Sequence, residues 1–411
     1  MINITIILKH NVIGKLLNHL LVFFINVMIV RLLGAGISGF YFNELYLLNF
    51  VVFIFSAGLD YAAISVISRN PLLLPAINRI FLMFIALFLV VLLLFVFLIF
   101  QYTNDYFLQQ GFAIIYFSIG NLLLIFYQGI LSALKKFNLQ NIILGSTNLL
   151  YLVYLFIFLK PGEVSNLVRV SGSYAILFFI QGCMMVLFSD PGWKKTKDKL
   201  NWKTFFRSGI YIMISSLVYF AFLRVDNFYV QKYENSTTLG NYVQCGKIGQ
   251  YFLYFSSIIS STLLPFIANE SIGSSFTEWK KMMKPYILLL CAAAVFIAVT
   301  GHFLFPFFFG TDFLQMNSFM IILLPGFVCL GMLTLLNAVY IGKGNIKKIF
   351  IGDIIGLILV SGFDNFLVPK YGAYAAAIIS SISYCIVFFY LLSGFKEQFV
   401  LPPTSPSTVN L

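Results

Sequence analysis

The sequence predicts an all-α integral membrane protein: about twelve transmembrane helices in two pseudo-symmetric six-helix bundles around a central cavity. Three observations predict it. Of the 411 residues, 60% are hydrophobic and only 10% charged, against roughly 25% charged in soluble domains. The apolar residues fall in runs long enough to cross a bilayer, which takes about 20 residues of helix. One long basic polar stretch, Ser189 to Arg207, divides those runs into two blocks of similar size. A water-soluble fold has too little interior to hide this much apolar surface.

The segments that qualify are, in order, Val12–Leu33, Tyr41–Val66, Ile80–Phe100, Phe107–Leu134, Ile142–Leu159 and Val170–Phe188, then Phe205–Val230, Leu239–Ile267, Tyr286–Phe309, Met316–Ile341, Ile349–Val368 and Tyr371–Leu392. Lys9, His10 and Lys15 precede the first run, which has no small-residue cleavage site, so it reads as a retained helix rather than a signal peptide. Residues 1–190 form an N-terminal lobe (helices 1–6), 191–204 a basic cytoplasmic linker and 205–394 a C-terminal lobe (helices 7–12). The remaining 395–411, rich in Pro, Ser and Thr, read as a disordered cytoplasmic tail.

The net charge of +12 would suggest nucleic acid in a soluble protein. Here it follows from the accumulation of basic residues in cytoplasmic loops. With both termini in the cytoplasm, Lys160, Arg169, Lys232 and Lys370 fall on the outer side, while Arg31, Arg224 and Lys247 lie in or at the edge of helices. The other Lys and Arg residues fall inside, so this asymmetry predicts the orientation. The five cysteines all lie in apolar stretches with no Cys-x-x-Cys, and read as small core residues. The three histidines are scattered without metal-ligand spacing, and no glycine-rich phosphate loop occurs, so neither cofactor, metal nor nucleotide is expected. Nothing in the sequence points to an enzyme.

The two halves carry similar landmarks. A helix ending at Arg31 is followed by a short turn and Gly39-Phe40-Tyr41; a helix carrying Arg224 is followed by a turn and Gly240-Asn241-Tyr242. Basic turns after the fourth helix of each half include Lys135-Lys136-Phe137-Asn138 and Gly342-Lys343-Gly344-Asn345. An even number of spans per half makes these parallel repeats.

Three stretches in this order carry a family resemblance: Arg31-Leu32-Leu33-Gly34-Ala35-Gly36-Ile37-Ser38-Gly39-Phe40-Tyr41, then Ala57-Gly58-Leu59-Asp60-Tyr61-Ala62-Ala63, then Val368-Pro369-Lys370-Tyr371-Gly372-Ala373-Tyr374. On them the chain resembles the Wzx-type polysaccharide flippases of the MOP (multidrug/oligosaccharidyl-lipid/polysaccharide) exporter superfamily. The resemblance implies a carrier in the bacterial cytoplasmic (inner) membrane. It would move an oligosaccharide on undecaprenyl pyrophosphate across the membrane by alternating access, for O-antigen or capsule assembly. A polysaccharide polymerase and a chain-length regulator are implied partners. The turn between Val230 and Leu239 lacks the glycine that the family often places there.

Ionisable groups inside spanning helices cost several kcal/mol unless they face a cavity or a partner, which makes each a functional candidate. Arg31, Arg224 and Lys247 are expected at similar depth in the outer half, a set of cations suited to a pyrophosphate. Gln244, Lys247, Tyr251 and Tyr254 follow helical spacing and share a face, offering an amide, an ammonium and two phenols to a sugar phosphate. Asp60 and Asp226 are candidates for coupling to a proton or Na⁺. Asp364 and Asn365, close before Pro369, read as interfacial residues, as do Glu44 and Asp353 near helix ends. Competing readings are ordinary ones: Arg31 snorkelling, Arg224 paired with Asp226, Asp60 in helix packing, and tyrosines in a packed face. A drug/cation antiporter of the same superfamily would favour acids over these cations. A membrane glycan polymerase would carry a large outer loop, which this chain lacks.

Overall fold

The computed structural model describes residues 4–100, 106–160, 166–190, 200–268, 276–342 and 345–395. Most of the predicted linker (191–199) and nearly all of the predicted tail (396–411) lie outside the described residues. The described residues contain twelve α-helices, two short 3₁₀ turns and no strand. They are α1 (Ile4–Ser56), α2 (Leu59–Arg69), α3 (Leu74–Phe100), α4 (Tyr106–Ala133), α5 (Phe137–Phe158), α6 (Asn166–Ser189), α7 (Trp202–Phe222), α8 (Val225–Tyr233), α9 (Ser236–Ala268), α10 (Phe276–Phe309), α11 (Met316–Gly342) and α12 (Ile346–Ser393).

Helices and passes do not correspond one to one, for a physical reason. α1 and α12 are each two helices joined through one non-helical glycine: Gly34 (φ 73°, ψ 173°) and Gly372 (φ 64°, ψ −155°). A positive φ is open to glycine at little cost and strained for other residues. The loops expected at these places therefore shrink to single residues. α1 leads directly into α2, and α7 into α8, through two-residue breaks at 57–58 and 223–224, so the described helices group into twelve segments. Among the described residues, nine segments are long and apolar enough to cross a membrane. α9 carries Asn241, Gln244, Lys247 and Gln250 in its first half and is the least apolar of the long helices. A polar helix within a bundle of apolar ones marks the place to look for function.

The chain divides into two compact units, the first comprising 1–33 and 44–217, the second 34–43 and 218–411. Unit 1 is built on α4, which packs most extensively on α6 and also on α2 and α3. Its core holds Phe81 stacked on Phe126 at 4.1 Å and Phe55 on Phe88 at 4.2 Å. Two sets of buried polar groups there are satisfied between helices. Tyr127 donates to Asn78 (2.6 Å), and Gln181 donates to Thr147 and Asn148 (both 2.9 Å).

Unit 2 is built on α9, α11 and the two halves of α12. The 34–43 segment is seated on it by backbone contact. A Cβ at Gly240 would stand 2.0 Å from the Ala35 carbonyl oxygen, and a Cβ at Gly39 would stand 2.6 Å from the Gly240 nitrogen. The repeat-related Gly-x-Tyr stretches thus meet at their glycines, where no side chain fits. Among the cysteines, Cys245 is buried as expected, whereas Cys291 is exposed; a position on an apolar helix need not face the protein.

Candidate ion and substrate site

Unit 2 brings several of its ionisable groups toward one end. That end is marked by Glu234, Asp312 and Gly372. Asn241 on α9 donates to the Asp312 carbonyl (2.9 Å), and the Ala373 amide donates to Glu234 (3.0 Å). At 1.5 Å per helical residue, Asp226 lies about 10 Å below the end of α8, Tyr242 about 9 Å into α9, and Asp364 and Ser380 each about 12 Å from Gly372. Four helical segments therefore bring polar groups to one depth.

Asp226 is 5% exposed and fully engaged. Its Oδ2 accepts from Tyr242 Oη (2.6 Å) and from Ser380 Oγ (2.8 Å), and its Oδ1 accepts from the Asn227 amide (2.8 Å). Asp364 is 0% exposed, and neither carboxylate oxygen has a hydrogen-bond partner. It stands within electrostatic reach of Asp226 and Tyr242. The position expected at the interface is thus interior, because the helix runs on past Pro369 to Gly372. Asp353, expected near a helix end, is likewise buried. Two buried carboxylates in reach of each other, one without any donor, form an arrangement that a cation stabilises.

Arg224 lies in the break between α7 and α8 and is 4% exposed. With Asp226, Asn227, Tyr242, Gln250 and Tyr384 it lines a cavity of about 20 Å³. That volume holds one water or one dehydrated small cation. The Asn227 Nδ2 group has no hydrogen-bond partner.

Lys247 lies about 16 Å into α9, with its ammonium 2.7 Å from the centre of the Phe42 ring. A cation held by a π face keeps its charge available to an anion. Gln244 is fully buried one turn earlier. Tyr251 and Tyr254, one and two turns later, meet edge to face at 5.7 Å. Unit 2 therefore contains Arg224, Lys247, Gln244, Tyr251, Tyr254 and Asp226.

Arg31 and Asp60 belong to unit 1. Arg31 is exposed on α1. Asp60 sits in the first turn of α2, just after the Ala57–Gly58 break, as Asp226 sits in the first turn of α8 after the Arg224 break. An acid in a first helical turn is favoured by the helix dipole.

The comparisons agree with this architecture. The model of a family described as polysaccharide biosynthesis protein matches residues 8–271. No curated protein sequence matches the chain. Among solved structures, the fold is similar to the lipid II flippase MurJ in an inward closed conformation, at 15% identity and TM-score 0.73, covering 96% of this chain and 89% of that one. It is also similar to the Vibrio cholerae MATE transporter VcmN in its bent form, at 15% identity and TM-score 0.66, covering 96% of both chains. A third is a MOP superfamily transporter from Pyrococcus furiosus, described as having a binding pocket of reverse polarity, at 13% identity and TM-score 0.67, covering 96% of this chain and 95% of that one. The chain is a multi-pass membrane protein with the fold of the MOP transporters and flippases, and it belongs to the polysaccharide biosynthesis protein family.

Proposed function

We propose that the protein is a flippase, not an enzyme, which carries undecaprenyl-pyrophosphate-linked oligosaccharide repeat units across the bacterial cytoplasmic membrane by alternating access. The product supplies O-antigen or capsule assembly, in company with a polymerase and a chain-length regulator, and both termini face the cytoplasm. The observation that carries this reading is the pair of cations Arg224 and Lys247 inside unit 2 of a polysaccharide-family fold. A pyrophosphate and a chain of hydroxyls cannot cross hydrocarbon unaided. Cations held within the bundle lower that barrier for the head group, while the prenyl tail stays in lipid. Gln244, Tyr251 and Tyr254 give the adjoining sugars hydrogen bonds and ring faces; Arg31 is the substrate-binding candidate of unit 1. Asp226, with Asp364, takes the coupling ion. The carboxylates and hydroxyls there are hard oxygen ligands, which suits Na⁺. Asp60 is the corresponding candidate in unit 1.

The test is complementation. Deletion of the gene is expected to abolish surface polysaccharide and trap lipid-linked intermediate on the cytoplasmic side. Wild type restores export; Lys247→Ala and Arg224→Ala at equal membrane level do not. Full rescue by both variants contradicts the site. A second reading, a multidrug/cation antiporter, is favoured by the Asp226–Asp364 pair, which would then receive the drug's positive charge. It predicts normal polysaccharide and altered drug sensitivity in the deletion strain.

A further inference from the structure

The break between α7 and α8 changes what Arg224 can reach. In a continuous helix, residues i and i+2 do not share a face, so Arg224 and Asp226 would point apart. Here Arg224 has φ −136° and ψ −11°. The Arg224 amide turns back to the Ala221 carbonyl (3.1 Å), and the Asn227 amide to the Arg224 carbonyl (3.2 Å). Both side chains consequently line the same small cavity. The other side of Arg224 faces α9 at Gly246. A Cβ built on Gly246 would stand 2.8 Å from Arg224 Nη1, so the guanidinium fills the space that a side chain would take. Gly246 immediately precedes Lys247, whose charge interacts with that of Arg224. The guanidinium therefore borders both the cavity of Asp226 and the α9 turn that carries Lys247. The charge count gives it a role. Ionised Asp226 and Asp364 against one arginine leave one negative charge, which one monovalent cation neutralises.

We propose that Arg224 couples the two ion sites: it neutralises Asp226 while the cation site is empty, and Na⁺ taken up between Asp226 and Asp364 releases it toward Lys247, completing the anion site. This deepens the carrier reading above and rests on it for the identity of the anion. The released guanidinium stays in the space that the missing side chain at Gly246 leaves to it. Uptake of Na⁺ and uptake of a lipid pyrophosphate then favour each other, and linkage requires the two effects to be equal.

The experiment uses the purified full-length protein in nanodiscs, at constant pH and ionic strength, with choline replacing Na⁺. Na⁺ affinity is read with and without undecaprenyl pyrophosphate, and lipid affinity with and without Na⁺. In wild type each ligand is expected to tighten the other by about fivefold or more. Arg224→Gln is expected to bind Na⁺ more tightly, because a competing internal cation is gone. It should bind the lipid more weakly and show no dependence of either affinity on the other ligand. Lys247→Ala should weaken lipid binding. Gly246→Ala crowds the guanidinium without changing any charge and should reduce the coupling; it serves if Arg224→Gln does not fold. Unchanged or weaker Na⁺ binding in folded Arg224→Gln, or full coupling in that variant, overturns the proposal. Wild type that binds Na⁺ but no pyrophosphate lipid contradicts the carrier reading instead. The Na⁺ affinity of Arg224→Gln still decides the role of Arg224.

Discussion

Substituting Gly240 by alanine tests how the 34–43 segment is held. The added Cβ would stand 2.0 Å from the Ala35 carbonyl oxygen and 2.6 Å from its carbon. These are backbone atoms, which cannot rotate aside, so the segment must shift. Overpacking of this kind costs about 1–3 kcal/mol. Applied to the seated state alone, that is roughly a 5- to 150-fold shift toward the unseated one. Ser38 reports the change, since it is 0% exposed and its hydroxyl donates to the Ala35 carbonyl (3.2 Å). In a background without the native cysteines, Ser38→Cys is expected to react slowly with a bulky maleimide. Adding Gly240→Ala should raise that rate by at least about fivefold, the lower end of the shift. Gly362→Ala is the control, because nothing stands within 4 Å of a Cβ there and its φ is ordinary. An unchanged labelling rate at position 38 in folded Gly240→Ala protein refutes the claim that the glycine contact holds the segment.

Further outcomes follow from single contacts. Gln181→Ala strips the partner from Thr147 and Asn148 in the interior of unit 1. It should lower thermal stability by about 1–3 kcal/mol, leaving Na⁺ affinity in unit 2 unchanged. Tyr242→Phe removes a 2.6 Å hydrogen bond to Asp226. A bond to a charged group contributes about 1.5–3 kcal/mol, so Na⁺ should protect this variant against heat more than it protects wild type. Asp364→Asn halves the charge of the pair and is expected to abolish Na⁺-dependent stabilisation while the protein still folds, as measured by thermal unfolding with and without Na⁺. Phe42→Leu removes the ring beneath Lys247. A cation–π contact contributes about 0.5–2 kcal/mol, and its loss should appear as a changed affinity for undecaprenyl pyrophosphate.

The fold is legible because membrane helices declare themselves as apolar runs. What the sequence hides are the joints. Gly34 and Gly372 each turn the chain within one residue, where gaps at 34–40 and 369–370 are expected. The break at Arg224 carries neither glycine nor proline at Leu223 or Arg224, so no local signal marks it. Asp364 reads as interfacial for a related reason: Pro369 five residues on suggests a helix end, whereas the helix continues and the carboxylate is interior. Arg224, Lys247 and Asp226 stand out because charge in an apolar helix is costly. Ser380, by contrast, carries no charge to mark it, and its hydroxyl on Asp226 becomes visible only when α12 is placed against α8. Tyr242 belongs to the Gly240-Asn241-Tyr242 repeat landmark, but its bond to the carboxylate is a property of the packed lobe.

The most direct measurement of the central claim is translocation itself. Purified protein in liposomes would be given lipid-linked oligosaccharide in the leaflet facing one side, and its arrival on the other side followed with an impermeant sugar-modifying reagent. The account predicts transfer by wild type that is accelerated by a Na⁺ gradient, and loss of transfer in Lys247→Ala protein of normal thermal stability. Transfer by Lys247→Ala at the wild-type rate, or none by wild type under a Na⁺ gradient, would contradict it.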